Sequence, residues 1–294
     1  MSANAPSLSV RAPPRRSGTV VLRRLFARRV VLVGAAILAV MAIVALAAPW
    51  ITPYDPMSLK VLDRLQSPRA THWFGSDELG RDVFSRVVFG ARYSLMIGAL
   101  VVLMSVGAGI LLGLCAGFYR RMDTPIMRVV DAMMSFPDIL LAIALVAALG
   151  ASMSNVVLAL AIVYAPRVAR VVRASTLVVR ELPFIDAARA IGVPSWRMLF
   201  VHILPNVASP ILVQATFIFA YAILAEAGLS FLGVGVPPAI PTWGTMIANS
   251  QQFAHRAIWL PLFPGVAIVL CALSLQMVGD GLRDLLDPRL RKIV

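Results

Sequence analysis

The sequence predicts an all-α integral membrane protein with six transmembrane helices and both termini in the cytoplasm. Three observations predict it. Of the 294 residues, 60% are hydrophobic and only 14% are charged, against about 45–50% and about 25% in a soluble domain. The apolar residues gather in long charge-free runs, each long enough for a hydrocarbon core of about 30 Å. The 27 Lys and Arg residues outnumber the 14 Asp and Glu and sit between those runs, where membrane topology places cations. Such a composition argues against a soluble enzyme and excludes a disordered chain.

The elements follow in order. Residues 1–29 form an arm that is Ser/Pro-rich and then basic, without an acid. Residues 30–50 are uncharged and span roughly 31 Å as a helix, enough for a first crossing. A cleavable signal segment competes, because Ala45-Leu46-Ala47 looks like a cleavage site, but signal cores run only about 7–15 residues. Residues 51–92 are expected to be an external loop, opened by Pro53, Pro56 and Pro68. From Ser76 it reads as helical, since Asp77 and Arg81, and Asp82 and Arg86, stand four apart.

A five-helix core is expected over 93–282. Tyr93 to Tyr119 is the second charge-free run, closed by Arg120 and Arg121. Residues 139–166 are charge-free, too long for one crossing and too short for two, with a turn at Gly150 to Asn155. The third crossing therefore starts near Val129, and the fourth runs past Arg167 towards Val172, its arginines snorkelling to the interface. Asp131 and Asp138 then read as acids at the start of the third helix, where the dipole favours them. A polar loop covers 173–209, the fifth crossing about Pro210 to Leu232, and the sixth Ala257 to Gly279. Residues 283–294 are a cytoplasmic tail.

Six crossings put both termini on one side. That side carries 20 of the 27 basic residues and the other side 7, so the positive-inside rule makes it cytoplasmic. The net charge of +13 is thus an orientation signal rather than a nucleic-acid surface, which would need a basic face on a soluble fold. Cys115 and Cys271 each lie in an apolar run and read as buried side chains. His72, His202 and His255 are scattered over both sides, with no metal-ligand spacing.

The segment richest in signals is cytoplasmic. Pro183 suits a first helical turn and Gly192 a helix stop. Phe184, Ala188 and Ile191 share one helical face, and after Pro194 and Ser195 a second helix puts Trp196, Leu199, Phe200 and Ile203 on one stripe. The result is a helix, a glycine turn and a helix lying against the membrane, a unit able to dock into a partner's groove; a simple interfacial connector competes, as does a DNA-type helix-turn-helix, which the membrane spans at both ends disfavour. Glu226, in the fifth crossing, is an intramembrane acid and so a candidate for the translocation path; a structural hydrogen bond to a neighbouring helix competes. The external segment offers Trp73, Phe74, Asp77, Glu78, Arg81 and Asp82 as a candidate contact for an outside partner, against the alternative of a loop packed on its own helices.

Asp186-Ala187-Ala188, three residues, Gly192 and then Leu204-Pro205 resemble the EAA loop of ABC-importer permeases. Asp186 stands where that loop has Glu, and His202 where it has Ile. Residues 72–86, 223–233 and 279–289 resemble the C-type permease subunits of dipeptide, oligopeptide and nickel importers. The resemblance implies a type I, MetI-like permease fold. It implies that Asp186, Ala187, Ala188, Gly192, Leu204 and Pro205 couple to a separate cytoplasmic ATPase. It also implies four kinds of partner: a homologous second permease, two ATPase subunits, an external substrate-binding protein and the lipid bilayer of the inner membrane. The implied cargo is dipeptides or oligopeptides, with a nickel chelate or glutathione as alternatives.

The chain is not expected to be an enzyme. A P-loop needs Gly, four residues and Gly-Lys-Ser/Thr. The only lysines are Lys60, followed by Val61, and Lys292, followed by Ile293. ATP and Mg are therefore expected on partner subunits, with no cofactor on this chain. The rival of a different class is an ion-coupled secondary transporter or a channel, which would favour paired membrane charges or broken helices at mid-depth. The deep apolar runs offer no such pair to a sequence-based reading.

Overall fold

The computed structural model describes residues 29–286, so the basic arm up to Arg28 and the tail beyond Leu286 lie outside the described residues. The described chain is helical. Helix α1 is Arg29–Leu46, continued by the single turn Ala48–Ile51; α2 is Val83–Phe118, α3 Arg120–Met134, α4 Asp138–Leu149 and α5 Met153–Val179. Helix α6 is Pro183–Ala190, and α7 is Leu204–Phe231, led in by Ser195–Arg197 and the wider turns of Met198–Ile203. Helix α8 is Trp243–Ser250 and α9 is Trp259–Leu286. Five helices are long and apolar enough to cross a membrane, and a sixth crossing results if the bent pair α3–α4 counts as one.

Five boundaries differ from the sequence-based expectation. The second crossing starts at Val83, ten residues before Tyr93. Asp82 caps it, accepting from the Ser85 N–H at 2.8 Å, and such a cap closes an orphan donor of the first turn. The 36-residue α2 is about 54 Å long and projects well beyond the bilayer core. The third crossing is not one straight helix from Val129. Helices α3 and α4 meet at 94° around Ser135-Phe136-Pro137, because a proline drives its predecessor out of the helical region. Asp131 consequently lies in the last turn of α3, not at a helix start, while Asp138 does open α4.

Three boundaries remain. Helix α5 runs on to Val179, and three of its arginines meet acids. Arg167 pairs with Asp138, Arg170 with Asp131 at 2.5 Å, and Arg173 with Asp123 through an Nη2···Oδ2 bond of 2.7 Å. The second helix of the 173–209 segment does not end in a loop. It runs unbroken into the fifth crossing as one helical stretch, Ser195–Phe231. The wide turns of Met198–Ile203 precede Pro205; a wider helical turn accommodates the missing N–H and the ring of a proline. Helix α9 likewise extends the sixth crossing to Leu286, so residues 283–286 are helix rather than tail.

Glycine sets the closest helix contact. Gly109, Gly113 and Gly117 lie four apart on α2, facing Val168, Val172 and Thr176 on α5. A Cβ on Gly113 would stand 2.6 Å from the Ala169 carbonyl oxygen and 2.6 Å from Val172 Cβ. Lipid offers no hydrophobic drive between helices, so small residues that admit close packing hold them together. Around this seam lies the main core, including Ile97, Val101, Leu160, Val172 and Ile218. A second cluster with Ile223, Trp243 and Leu275 joins α7, α8 and α9. Cys271 is buried and Cys115 half-buried, both as free thiols.

Candidate functional site: the cytoplasmic loop and the outer segment

The cytoplasmic unit forms from its sequence signals. Pro183 opens α6 at the first turn. Gly192 ends it at φ +79°, with the Val193 N–H on the Ala188 carbonyl at 3.1 Å and the Gly192 N–H on Arg189 at 3.0 Å. This paired closure is a Schellman motif with the left-handed residue at its centre. Nothing lies within 4 Å of a Cβ placed on Gly192, so the glycine is needed for its backbone conformation and not for space.

The face α6 buries is shifted from expectation. Ile185 and Ala188 point into the protein, while Phe184 and Ile191 face outwards, Ile191 with 81% of its surface exposed. The following stripe divides too: Leu199 and Ile203 are buried, whereas Trp196 is 64% exposed and Phe200 is also exposed. Met198, absent from the expected stripe, is buried. Asp186 and Ala187 lie on the open side, with Arg189 Nη1 on Asp186 Oδ1 at 3.3 Å. Leu204 is half-buried and Pro205 exposed at the foot of α7. The structure therefore presents an uncovered apolar surface of Phe184, Ala187, Ile191 and Trp196 beside an exposed ion pair.

The outer segment is a folded knot rather than a helix with an open polar face. Gly75 and Gly80 take φ of +76° and +75° and turn the carboxylates inwards. Asp77 accepts from Arg81 Nε at 2.6 Å and from the backbone N–H groups of Leu79 and Arg81. Arg86 Nε lies 3.6 Å from the same carboxylate, and its Nη1 donates to the Pro56 carbonyl at 3.1 Å. Asp82 does not pair with Arg86; it holds His72 Nδ1 at 2.9 Å and caps α2.

Of the six candidate contact residues, Asp77, Arg81 and Asp82 are buried, Phe74 stacks on Phe263 at 3.8 Å, and Glu78 is half-buried. Trp73 alone is exposed. The expected external contact therefore shrinks to Trp73, and the four-residue charge spacing proves to belong to turns. Burial pushes the Glu78 carboxyl above its ordinary value, and the neighbouring Asp77 adds to the shift.

Glu226 makes the structural hydrogen bond that competed with a place on the path. It is fully buried, accepting from Thr242 Oγ1 at 2.8 Å and Ser230 Oγ at 2.9 Å. Gly244 approaches so closely that a Cβ there would lie 2.9 Å from Glu226 Oε1. The acid ties the start of α8 to the last turns of α7. A polar cluster also exists where half-buried Arg167 and Asp138, buried Tyr164 and exposed Tyr221 meet near the α3–α4 break. Sequence reasoning missed it because its members lie up to 83 positions apart along the chain. Among the described residues, no three His, Cys, Asp or Glu side chains gather to hold a metal.

The comparisons with known proteins agree with this architecture. Residues 105–292 match the family described as binding-protein-dependent transport system inner membrane component. Residues 18–68 match the N-terminal transmembrane domain of oligopeptide transport permease C. A relative from Brucella suis is 48% identical over 293 residues, covering 99% of each chain. The dipeptide transport system permease protein DppC of Alkalihalophilus pseudofirmus is 44% identical, covering 95% of this chain and 94% of that one. The glutathione transport system permease protein GsiD of Pectobacterium atrosepticum is 43% identical, covering 96% and 93%. Among solved structures, a chain of the MetNI methionine ABC transporter in an inward-facing conformation matches 69% of this chain and 97% of its own length, at a TM-score of 0.56 and 18% identity, which shows the shared fold. The chain belongs to the binding-protein-dependent transport inner membrane components, as a permease subunit of an ABC importer.

Proposed function

We propose that this permease carries dipeptides or short oligopeptides and is driven through α6 by an ATPase on separate chains. The observation that carries the coupling half is the uncovered surface of Phe184, Ala187, Ile191 and Trp196, held between two crossings by the Gly192 closure. Leaving large apolar side chains in water is unfavourable, and an amphipathic helix of this kind fits a groove on a partner. Two such ATPase subunits would bind the ATP and Mg. A homologous second permease would complete the path, and a substrate-binding protein outside would deliver cargo. The arm and α6 then face the cytoplasm, and residues 51–82 face outwards.

The peptide half is supported by the names of the relatives from Alkalihalophilus and Pseudomonas aeruginosa, a dipeptide and a di/tripeptide permease. Glutathione is the second reading, supported by the Pectobacterium relative; it is itself a short peptide.

Gly192→Pro tests the coupling. Proline fixes φ near −65° where the chain needs +79°, so the closure breaks while both crossings stay intact. The expected result is normal membrane insertion, continued ATP hydrolysis by the assembled complex, and loss of uptake into vesicles. Normal uptake would sink the assignment of α6 as the coupling helix. The cargo is read by titrating the cognate binding protein with dipeptides, longer peptides, glutathione and nickel complexes.

A further inference from the structure

The mid-depth face where α4, α5 and α7 meet carries an ion pair that no lipid-facing surface would keep. Arg167 is the fifteenth residue of the 27-residue α5, about 21 Å from its outer end and about 18 Å from its inner end. Its Nη2 bonds Asp138 Oδ2, and about a third of each side chain remains exposed. The guanidinium carbon also lies 5.6 Å from the Tyr164 ring centre and 5.5 Å from that of Tyr221. Tyr164 is buried and ties α5 to α7 through its hydroxyl, which donates to the Tyr221 carbonyl at 3.4 Å, whereas Tyr221 is exposed. Directly beside the pair the chain breaks by 94°, leaving Phe136 and Pro137 exposed.

Charged side chains at this depth face a protein interface or a watered path, because hydrocarbon penalises them strongly. A helix broken at mid-depth is a device by which transporters place a binding site in the membrane.

Resting on the peptide reading above, we propose that Arg167 and Asp138, flanked by Tyr221 and Phe136, form the permease's contact for the two charged ends of a peptide in transit. The planar guanidinium matches the peptide carboxylate through two parallel hydrogen bonds, and Asp138 accepts from the ammonium end. The resting pair is neutral and so is a zwitterionic peptide. Exchanging the internal partners for the peptide's ends therefore brings no net charge into a low-dielectric site. The aromatic rings of Tyr221 and Phe136 offer side-chain contact of low selectivity, as a carrier of varied peptides requires. Nothing in the site fits a singly charged solute as well, since one member of the pair would be left unpartnered.

The test uses the complete importer in vesicles, with its binding protein and a radiolabelled dipeptide. A photoreactive benzoylphenylalanine is placed at Phe136, at Tyr221 and, as a control on the open surface of α2, at Leu103. Illumination during ATP-driven turnover is expected to label the first two positions at least tenfold more than Leu103. In parallel, Arg167→Lys keeps the pair with Asp138 but loses the fork. Import is expected to fall at least tenfold while the complex still assembles, a change that a merely structural ion pair would not produce.

Equal labelling at all three positions, or import within twofold of wild type for Arg167→Lys, would overturn the proposal while leaving the peptide reading standing. If Arg167→Lys fails to assemble, the labelling with Arg167 intact decides. A wild-type complex that imports no peptide refutes the peptide reading itself, and this site with it.

Discussion

The α2–α5 seam makes a prediction whose size follows from geometry. Replacing Gly113 by Ala puts a methyl group 2.6 Å from Ala169 O and from Val172 Cβ, about 0.8 Å inside ordinary contact, which begins near 3.4 Å. One neighbour is backbone, so no side-chain rotation relieves the clash, and the two helices must part. Separating packed atoms by 0.5–1 Å forfeits roughly a quarter to a half of their dispersion energy, and the loss extends along the seam to Gly109 and Gly117. Overpacking of this kind costs about 1–3 kcal/mol. Ala for Gly in a helix interior returns roughly 0.5–1 kcal/mol.

Gly107 lies in the same helix, and a methyl group there would have nothing within 4 Å, so Gly107→Ala keeps the gain without the clash. The difference between the two variants therefore isolates the clash, about 1–3 kcal/mol. Thermal unfolding in a single detergent, followed by a thiol dye reaching buried Cys271, measures it. Each kcal/mol lowers the melting temperature by roughly 2–4 °C in a chain near this size. Equal melting temperatures for the two variants would refute the claim that the glycines hold these helices together.

Two further outcomes concern the outer knot. Asp77→Asn removes the carboxylate bonded to Arg81 that also faces Arg86 and leaves Glu78, on Arg81 at 3.0 Å, as the acid beside two buried guanidinium groups, a loss of up to about 3–5 kcal/mol; Asp186→Asn, at an exposed pair, shifts stability by no more than about 0.5 kcal/mol, and melting curves of the two variants compare them directly. Glu78 titrates higher in the fold than in the unfolded chain because it is buried, so the folded state binds the proton more tightly and stability falls as pH rises through the carboxylate range. Glu78→Gln should accordingly melt above wild type at neutral pH, with the gap closing as pH falls through that range; a gap that widens on acidification would reverse the assignment.

What the sequence made legible was whatever repeats within a turn or two of helix. Charge-free runs located the crossings, Pro183 and Gly192 bounded α6, and Gly150 marked the turn into α5. The four-residue spacing of Asp77 and Arg81 was also correct as a contact but came from a turn, because Gly75 and Gly80 can take backbone angles other residues avoid. The buried side of α6 was misjudged by one position, since a helix of eight residues with apolar groups on both flanks has no unique amphipathic axis. The Gly109-Gly113-Gly117 repeat was present in the sequence as a small-residue pattern and could have announced the α2–α5 contact. The arginine pairing could not have been found that way. Arginines three apart on α5 meet acids seven and eight apart on the bent pair, and that mismatch of spacing is intelligible only once α3 and α4 are known to diverge.

That divergence also alters how the rival mechanism is judged. Paired membrane charges and a helix broken at mid-depth were the features expected to favour a self-sufficient ion-coupled carrier, and the structure has an Arg167–Asp138 pair beside a 94° break between α3 and α4. Family membership, not their absence, identifies the chain as an ABC-importer permease. The physical reason such features do not discriminate is that they answer a need common to both classes. Any path for a polar solute must replace part of its hydration at mid-depth, whatever drives the cycle. On the coupling proposed for α6, the energy source leaves its mark elsewhere, at the cytoplasmic rim, where an ion-coupled carrier has no use for an uncovered apolar helix. Here Ile191 and Trp196 stand exposed on that rim, fixed by a glycine closure in a short unit between two crossings. A carrier that worked alone would gain nothing from leaving them in water.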